Sequence, residues 1–265
     1  GLKPNTIATR LSAIRTIMQV AYLEKKTTNL DHQNPQFVPC REEVDEIFLN
    51  PEQIAQMMEL DLSSKEAIEG YVKKYKLNEG REKPLPKMEW KFLRFLNWTR
   101  DVFVVGCLTG QRHSDYSRIN SDMIVTLNDK QFIKLRQKKT NKEVYIPLDN
   151  RVKQILDKYN GYVPYVCIST FRSHLHLLGE FLGWTEVAKF DTYENTERLR
   201  VCDMLTTHTA RRSFATNAYA AGVSLSSIIA VTGHASERSF RSYLRLDVQE
   251  RATIAAENFK GFIQM

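Results

Sequence analysis

The sequence contains few cysteines, and they are far apart. Cys40, Cys107, Cys167 and Cys202 form no C-x-x-C pair, and no histidine stands beside them at zinc-ligand spacing. This arrangement argues against both a disulfide framework and a structural zinc site. Cys107 lies in the apolar run Val102–Leu108, where a thiol usually behaves as a small buried hydrophobe, so we assign it no chemistry.

Long apolar runs are also missing. No stretch approaches the roughly 20 consecutive apolar residues that span a bilayer. The first ten residues do not resemble a secretory signal peptide. There is no internal repeat and no low-complexity tract. We therefore expect a soluble, cytoplasmic protein.

What the chain does have is length, apolar content and positive charge. Its 265 residues are 42% hydrophobic, enough for one large domain or for a domain plus a fragment of another. Lys and Arg number 38 against 31 Asp and Glu, which gives a net charge of +7. This excess favours a polyanionic partner, although many basic proteins never bind nucleic acid and motifs must support the inference.

The spacing of apolar residues predicts two parts. An amphipathic helix begins near Ile7 and is followed by a polar linker, 27–39, so residues 1–41 are set apart from a main domain at 42–265. In the main domain, Asn50 and Pro51 predict the start of a helix. The charged segment 63–88 reads as an insertion or as a solvated helix and loop.

The main domain is predicted to be mainly α with a small antiparallel β-sheet, an α+β fold. An apolar helix over Trp90–Leu108 ends at Gly110, a suitable left-handed cap. Three short β-branched segments follow, separated by turn residues, at 123–127, 131–136 and 143–147. The last third holds three predicted helices, separated by Gly222 and Gly233.

Two separated motifs carry charge suited to phosphate. His208 and Arg211 lie three residues apart near a predicted helix start, where free N–H groups and the helix dipole favour an anion. Arg112 follows Gly110, and Asp115 is placed to orient its guanidinium. Taken alone, each motif is also consistent with ordinary surface residues.

Further candidates follow along the chain. Lys138 and Lys139 lie at a predicted hairpin tip, where lysines are mostly just solvated. His234 follows the helix cap at Gly233, and Tyr243 stands on the predicted last helix. A tyrosine in an amphipathic helix is usually a core residue, so no single motif decides the function.

In combination, the order Arg, Lys on a hairpin, His-x-x-Arg, Gly-His and Tyr resembles the tyrosine recombinases, the integrases of phages and mobile elements. The match runs from about Phe48 to Tyr243. Residues 1–41 resemble the last helix and linker of the family's core-binding domain, the rest of which is missing. The matching segments are Thr109–Asp115, Gln137–Thr140, His208–Thr216, Gly233–Ser236 and Tyr243.

The resemblance implies a catalytic site and a mechanism. Tyr243 would attack a DNA phosphodiester and form a 3′-phosphotyrosine, with His208 as its base and Lys139 as the general acid for the leaving 5′-oxygen. The guanidiniums of Arg112 and Arg211 would stabilise the negative charge that develops on the phosphate, and His234 would hold the phosphate by a hydrogen bond. Lys138 is a rival acid. The catalytic set is Arg112, Lys139, His208, Arg211, His234 and Tyr243, with neither metal nor ATP nor another cofactor.

The sequence departs from the family pattern in three places. Gln111 and Thr232 stand where the family often has leucine, after Thr-Gly and before Gly-His respectively. Neither change removes a catalytic group. Arg212 also replaces a common histidine.

The resemblance further implies double-stranded DNA as partner and a homotetramer on two DNA sites. The tail after Tyr243 carries apolar residues that could dock on a neighbouring protomer or on their own domain; they are Ile254, Ala255, Phe259, Phe262 and Ile263. Two alternatives stay open: a type IB topoisomerase, with the same chemistry but without synapsis, and a catalytically silent DNA-binding protein.

Overall fold

The chain forms two compact units in a computed structural model. The first unit comprises residues 1–45 with 189–198, and the second comprises 46–188 with 199–265. The predicted domain boundary after residue 41 stays a prediction. Structure is described for residues 4–34, 37, 47–80, 84–191, 196–234, 236–241, 244, 249, 252–254 and 256.

Helices dominate, and two small antiparallel sheets accompany them, which confirms the predicted fold class. None of the helices within the described ranges is long and apolar enough to cross a membrane. The helices are α1 Pro4–Leu23, α2 Pro51–Glu59, α3 Lys65–Lys74, α4 Trp90–Thr109, α5 His113–Tyr116, α6 Asn150–Lys158, α7 Ile168–Phe181, α8 Thr207–Ala220, α9 Leu225–Thr232 and α10 Glu237–Arg241. The strands are β1 Ile124–Leu127, β2 Lys130–Arg136, β3 Glu143–Pro147, β4 Val187–Asp191 and β5 Thr196–Arg200.

The first unit contains α1 and a short 3-10 helix, Asp31–Gln33. His32 is buried, and its Nε2 lies 2.9 Å from Gln19 Oε1, which ties the 3-10 helix to α1. The predicted apolar face of α1 is only partly covered, since Ala8 is buried while Ile7 and Ile14 are exposed.

In the second unit, α4 is the central core helix, as predicted. Most of its side chains from Thr99 onward are buried. The helix ends at Gly110, whose φ of +66° is left-handed and whose N–H donates to Gly106 O. A Cβ at Gly110 would lie 2.4 Å from the Phe214 ring, so glycine is required there both for its backbone and for the close approach of α8.

Strands β1, β2 and β3 form the predicted three-stranded antiparallel sheet, in sequence order. Asn128 and Asp129 both have positive φ in the β1–β2 turn, a geometry these residue types tolerate. Side chains alternate along β2 and β3, and Ile133, Leu135 and Val144 are among those that face the core. The β2–β3 hairpin carries the predicted lysine tip.

Two segments were incompletely predicted. Within 63–88, the chain forms α3, an amphipathic helix that buries Ile68 against the core, as well as loop. The polar stretch 191–200 carries no strand prediction, yet it contains β5 and the end of β4, which form a two-stranded sheet.

Candidate active site

The backbone at three helix ends positions the candidate residues. Arg112 is the N-cap of α5 and follows directly on the turn that ends α4. Helix α8 begins with a capping box in which Thr206 and Thr209 exchange side-chain and backbone hydrogen bonds, and Arg211 lies one turn further on. Helix α9 ends at Gly233, which has a left-handed φ of +69°, and His234 follows it.

Arg211 is a fully buried charged group of the site. Its side chain is 0% exposed. Its Nη1 donates to Gly110 O at 2.8 Å, and its Nη2 lies 3.0 Å from His234 Nε2. The guanidinium therefore joins α8 to the end of α4 and to the residue after α9.

His234 is buried and electrically neutral. Burial, together with the positive charges of Arg211, Arg112 and Lys142, lowers the pKa of its imidazole to about 3. At neutral pH the ring therefore carries no charge. Phe240 of α10 packs edge-on against it.

The hydrogen bonds around His234 assign its tautomer. Thr232 Oγ1 lies 2.7 Å from Ile228 O and 2.7 Å from His234 Nδ1. A carbonyl oxygen can only accept, so the hydroxyl proton of Thr232 points to Ile228 and the hydroxyl oxygen accepts from Nδ1–H. The remaining nitrogen, Nε2, then accepts from Arg211.

Arg112 offers an unused donor at this site. Its side chain is half-buried, and within the described part of the chain its buried Nη1 has no hydrogen-bond partner. A buried donor without a partner is costly unless a ligand satisfies it. Arg112 and Arg211 both lower the pKa of His234, so both guanidiniums are close enough to act on its imidazole electrostatically. This arrangement suits an anion with several oxygens.

Asp115 contacts the hairpin. Its Oδ1 accepts from the backbone N–H of Lys138 at 2.8 Å and from Arg118 Nη2 at 3.2 Å. The sequence predicted that Asp115 would orient Arg112. The described contacts of this buried carboxylate hold the start of the lysine turn, and its role in orienting Arg112 stays a prediction.

The hairpin brings a lysine that the sequence analysis missed. Lys138 and Lys139 are exposed at the tip, whereas Lys142 Nζ donates to His234 O at 3.3 Å. Lys142 is next to β3, and its backbone O accepts from Gln137 N–H, which closes the turn. A lysine three residues after Lys139 carries no sequence signal of its own, since only the fold of the turn directs it to His234.

Two residues of the predicted catalytic set remain, His208 and Tyr243. His208 is exposed in the first turn of α8, three residues before Arg211. Tyr243 lies outside the described residues, as do Ala255, Phe259, Phe262 and Ile263 of the tail. The described structure therefore brings together Arg112, Arg211 and His234, adds Lys142, and holds Lys139 on the same hairpin tip.

Comparison with protein families identifies the class. Residues 96–250 match the phage integrase family. This match covers more than half of the chain, which therefore belongs to the phage integrase family.

Solved structures confirm the fold. The Tn1549 transposon integrase in complex with a circular intermediate DNA is 13% identical, covers 97% of this chain and 80% of its own, and gives a TM-score of 0.61. The same integrase with transposon right end DNA is 12% identical over 98% of this chain and 81% of its own, with a TM-score of 0.60. The XerH site-specific recombinase in a post-cleavage complex is 16% identical with a TM-score of 0.49, and this chain spans about half, 52%, of its length. A comparison with curated proteins gives no match.

Proposed function

We propose that this chain is the catalytic part of a site-specific DNA recombinase that cleaves and rejoins DNA through a covalent 3′-phosphotyrosine. The observation that carries the proposal is the pair of guanidiniums around a buried neutral imidazole, one of them with a buried N–H that is unengaged in the described structure. Membership of the phage integrase family supports it.

In this proposal, the two arginines stabilise the transition state. Attack on a phosphodiester adds negative charge to its non-bridging oxygens, and preorganised cations in a water-poor site are worth most there. Arg211 is fixed by its bonds to Gly110 and His234, and Arg112 Nη1 is left to bind an oxygen. The resemblance implied that His234 binds the phosphate itself. Arg211 Nη2 lies 3.0 Å from Nε2 and 3.2 Å from Nδ1 of His234, so the imidazole is also placed to act through Arg211.

Proton transfers are assigned to three residues. Tyr243 is the nucleophile, and His208, at the exposed start of α8, is the base that removes its proton. Lys139 is the general acid for the leaving 5′-oxygen, carried on a turn that Asp115 holds. Lys142 is a second candidate acid, because its amino group is at His234. Lys138 stays a rival acid, since its side chain is exposed on the same turn.

The proposed partner is double-stranded DNA, bound by a homotetramer on two DNA sites in the cytoplasm, at the nucleoid. The Tn1549 integrase, similar in fold, was solved with a circular intermediate DNA. Exchange of the tail between protomers belongs to the same proposal. The covalent step requires neither metal nor ATP, because the phosphotyrosine conserves the energy of the broken bond for rejoining.

A nicked duplex carrying the native recombination site tests the covalent step. The wild-type protein and Tyr243→Phe are incubated with it in EDTA without ATP, and products are separated on a denaturing gel. We expect a protein–DNA adduct with the wild type only, while both proteins bind the site equally. Specific binding with no adduct would contradict the proposal and favour a silent DNA-binding protein.

A second assay separates recombination from topoisomerase activity. A supercoiled plasmid with one site and a plasmid with two sites are compared. Recombination requires synapsis, so we expect recombinant circles from two sites. If the one-site and two-site plasmids are relaxed at the same rate and no recombinant circles form, the type IB topoisomerase is favoured.

A further inference from the structure

A pair of buried glutamines lies behind the candidate active site. Gln111 is 0% and Gln137 is 1% exposed. Gln137 Nε2 donates to Gln111 Oε1 at 2.7 Å. Gln111 follows the cap of α4, and Gln137 follows β2 at the base of the lysine turn, so the bond joins two elements that are 26 residues apart.

All four N–H donors of the two amides have acceptors. Gln111 Nε2 donates to Thr109 O at 3.0 Å and to Val231 O at 2.9 Å. Gln137 Nε2 donates to Thr232 O at 2.8 Å as well as to Gln111, and Gln137 Oε1 accepts from Thr140 Oγ1 at 2.6 Å. Because the backbone carbonyls can only accept, both amide orientations are fixed. A fully satisfied buried network of this kind favours one arrangement of its members.

Each member of this glutamine network is next to a candidate catalytic residue. Gln111 immediately precedes Arg112. Gln137 and Thr140 enclose the turn that carries Lys139. The network therefore spans the elements that place the arginine, the lysine and, through Thr232, the histidine.

The glycine that ends α9 also packs closely against Gln137. Gly233 lies over the Gln137 amide, and a Cβ at this glycine would be 2.3 Å from Gln137 Oε1. The segment before His234 is thus packed directly against the network. A shift of the hairpin would be transmitted to His234.

Thr232 extends the network to the second guanidinium. Its carbonyl accepts from Gln137, and its hydroxyl accepts from His234 Nδ1, which leaves Nε2 to accept from Arg211. The Thr232 hydroxyl therefore selects the histidine tautomer that orients Arg211. An apolar residue at this position would not make this selection.

Two of these residues, Gln111 and Thr232, are the positions at which the sequence departs from the leucines common in the family. They are far apart in sequence, and both join Gln137. The two departures are thus connected parts of one hydrogen-bonded structure.

We propose that Gln111, Gln137 and Thr232 are positioning residues that set the placement of Arg112, the hairpin lysine and the His234–Arg211 pair. The proposal rests on the proposed function for its kinetic consequences. Its structural consequence, the tautomer of His234, does not depend on catalysis.

The first experiment replaces Gln137 with leucine and uses Gln131→Leu as a matched control. Gln131 lies on the same hairpin with an exposed side chain. Single-turnover cleavage is measured on the nicked site, and DNA affinity is measured at the same salt concentration. We expect Gln137→Leu to lower the cleavage rate by ~10²-fold, the scale of a displaced catalytic group, with affinity unchanged. The control should cleave at the wild-type rate.

The same variants are then given a substrate with a 5′-bridging sulfur. This leaving group needs no proton, so a variant that merely misplaces the general acid recovers. We expect the rate of Gln137→Leu relative to the wild type to recover ~10-fold or more, because general acid catalysis contributes ~10²–10⁴-fold. A loss that the sulfur substrate leaves unchanged would overturn the placement of the hairpin lysine by Gln137, and a Gln137→Leu rate equal to the control would overturn its positioning role altogether.

The second experiment examines Thr232 without DNA. Long-range ¹H–¹⁵N correlation spectra report the protonated nitrogen of His234 in the wild type, in Thr232→Val and in Thr232→Ser. We expect the Nδ1–H tautomer in the wild type and in the serine variant, which keeps the hydroxyl. We expect its loss in the valine variant, which keeps the shape. An Nε2–H tautomer in the wild type, or the same spectrum in all three proteins, would overturn this part.

Failure of the proposed function gives a different result. If the wild type forms no Tyr243-dependent adduct, the recombinase assignment fails, and the tautomer measurement still decides the role of Thr232. If the wild type forms the adduct and Gln137→Leu cleaves as fast, only the positioning proposal fails.

Discussion

Replacing Arg112 with methionine should stabilise the protein in the absence of DNA and abolish cleavage. Nη1 of Arg112 is buried and, among the described residues, has no hydrogen-bond partner. A buried donor left unsatisfied costs ~1–3 kcal/mol. The Arg112 guanidinium also acts on His234 together with the positive charge of Arg211, so its removal relieves repulsion between like charges.

Methionine suits this position because it retains the length and apolar character of the side-chain stem. Arg112 is an N-cap with extended backbone, at φ −76° and ψ 156°, and makes no side-chain cap bond that would be lost. We therefore expect a gain of ~1–2 kcal/mol in the free energy of unfolding. For a domain of this size, the corresponding rise in Tm is ~2–4 °C per kcal/mol.

Thermal and urea unfolding measure the gain, and single-turnover cleavage measures the loss of function. Arg136→Met is the matched control, because it removes the same charge from an exposed position on β2 and should change stability by less than ~0.5 kcal/mol. Cleavage by Arg112→Met should fall by at least ~10²-fold. A variant that is less stable than the wild type by ~1 kcal/mol or more, or that cleaves within about threefold of it, would refute the reasoning.

Three further predictions concern the hairpin, the histidine and the glycine before it. If Lys139 is the general acid, a 5′-bridging sulfur substrate should restore cleavage by Lys139→Ala but not by Lys142→Ala; the reverse pattern would move the role to Lys142. The pKa of His234 is about 3 in the folded protein and ~6.5 in the unfolded chain, so unfolding takes up a proton below pH ~6.5. As the pH falls from ~6.5 towards 3, this histidine lowers the free energy of unfolding by up to ~1.4 kcal/mol per pH unit. Urea unfolding between pH 7 and 5 should therefore show a steeper loss in the wild type than in His234→Gln, and equal slopes would contradict the buried neutral state. Gly233→Ala should destabilise the protein by ~1 kcal/mol or more, because φ at this position is +69° and the added Cβ would meet Gln137. An unchanged midpoint of urea unfolding would disprove the close contact.

The sequence predicted the helices, the hairpin and the cap at Gly110 because these depend on local patterns. Apolar periodicity, turn residues and left-handed glycines act over a few residues. The ordered motifs likewise indicated Arg112, Arg211 and His234 as neighbours. The contact of Arg211 with His234, and the electrostatic effect of Arg112 on the same imidazole, agree with the family resemblance, whereas the catalytic roles stay predictions.

Contacts between distant segments could not be predicted from the sequence. The bond of the Asp115 carboxylate to the Lys138 N–H joins residues 23 apart and has no local sequence signal, while the predicted role of Asp115 toward Arg112 stays a prediction. The approach of Lys142 to His234 joins residues 92 apart and depends on how the turn lies against the end of α9.

The bond from Arg211 to Gly110 has a consequence for biosynthesis. It links residues 101 positions apart, and the bond from Gln137 to Thr232 spans 95. Contacts of such long range form late in folding, because the intervening chain must first be ordered. On the ribosome, α4 and the hairpin emerge long before α8 and α9, so a nascent chain has one guanidinium without the other. We expect the chain to become able to cleave DNA only after its last third has been made and docked.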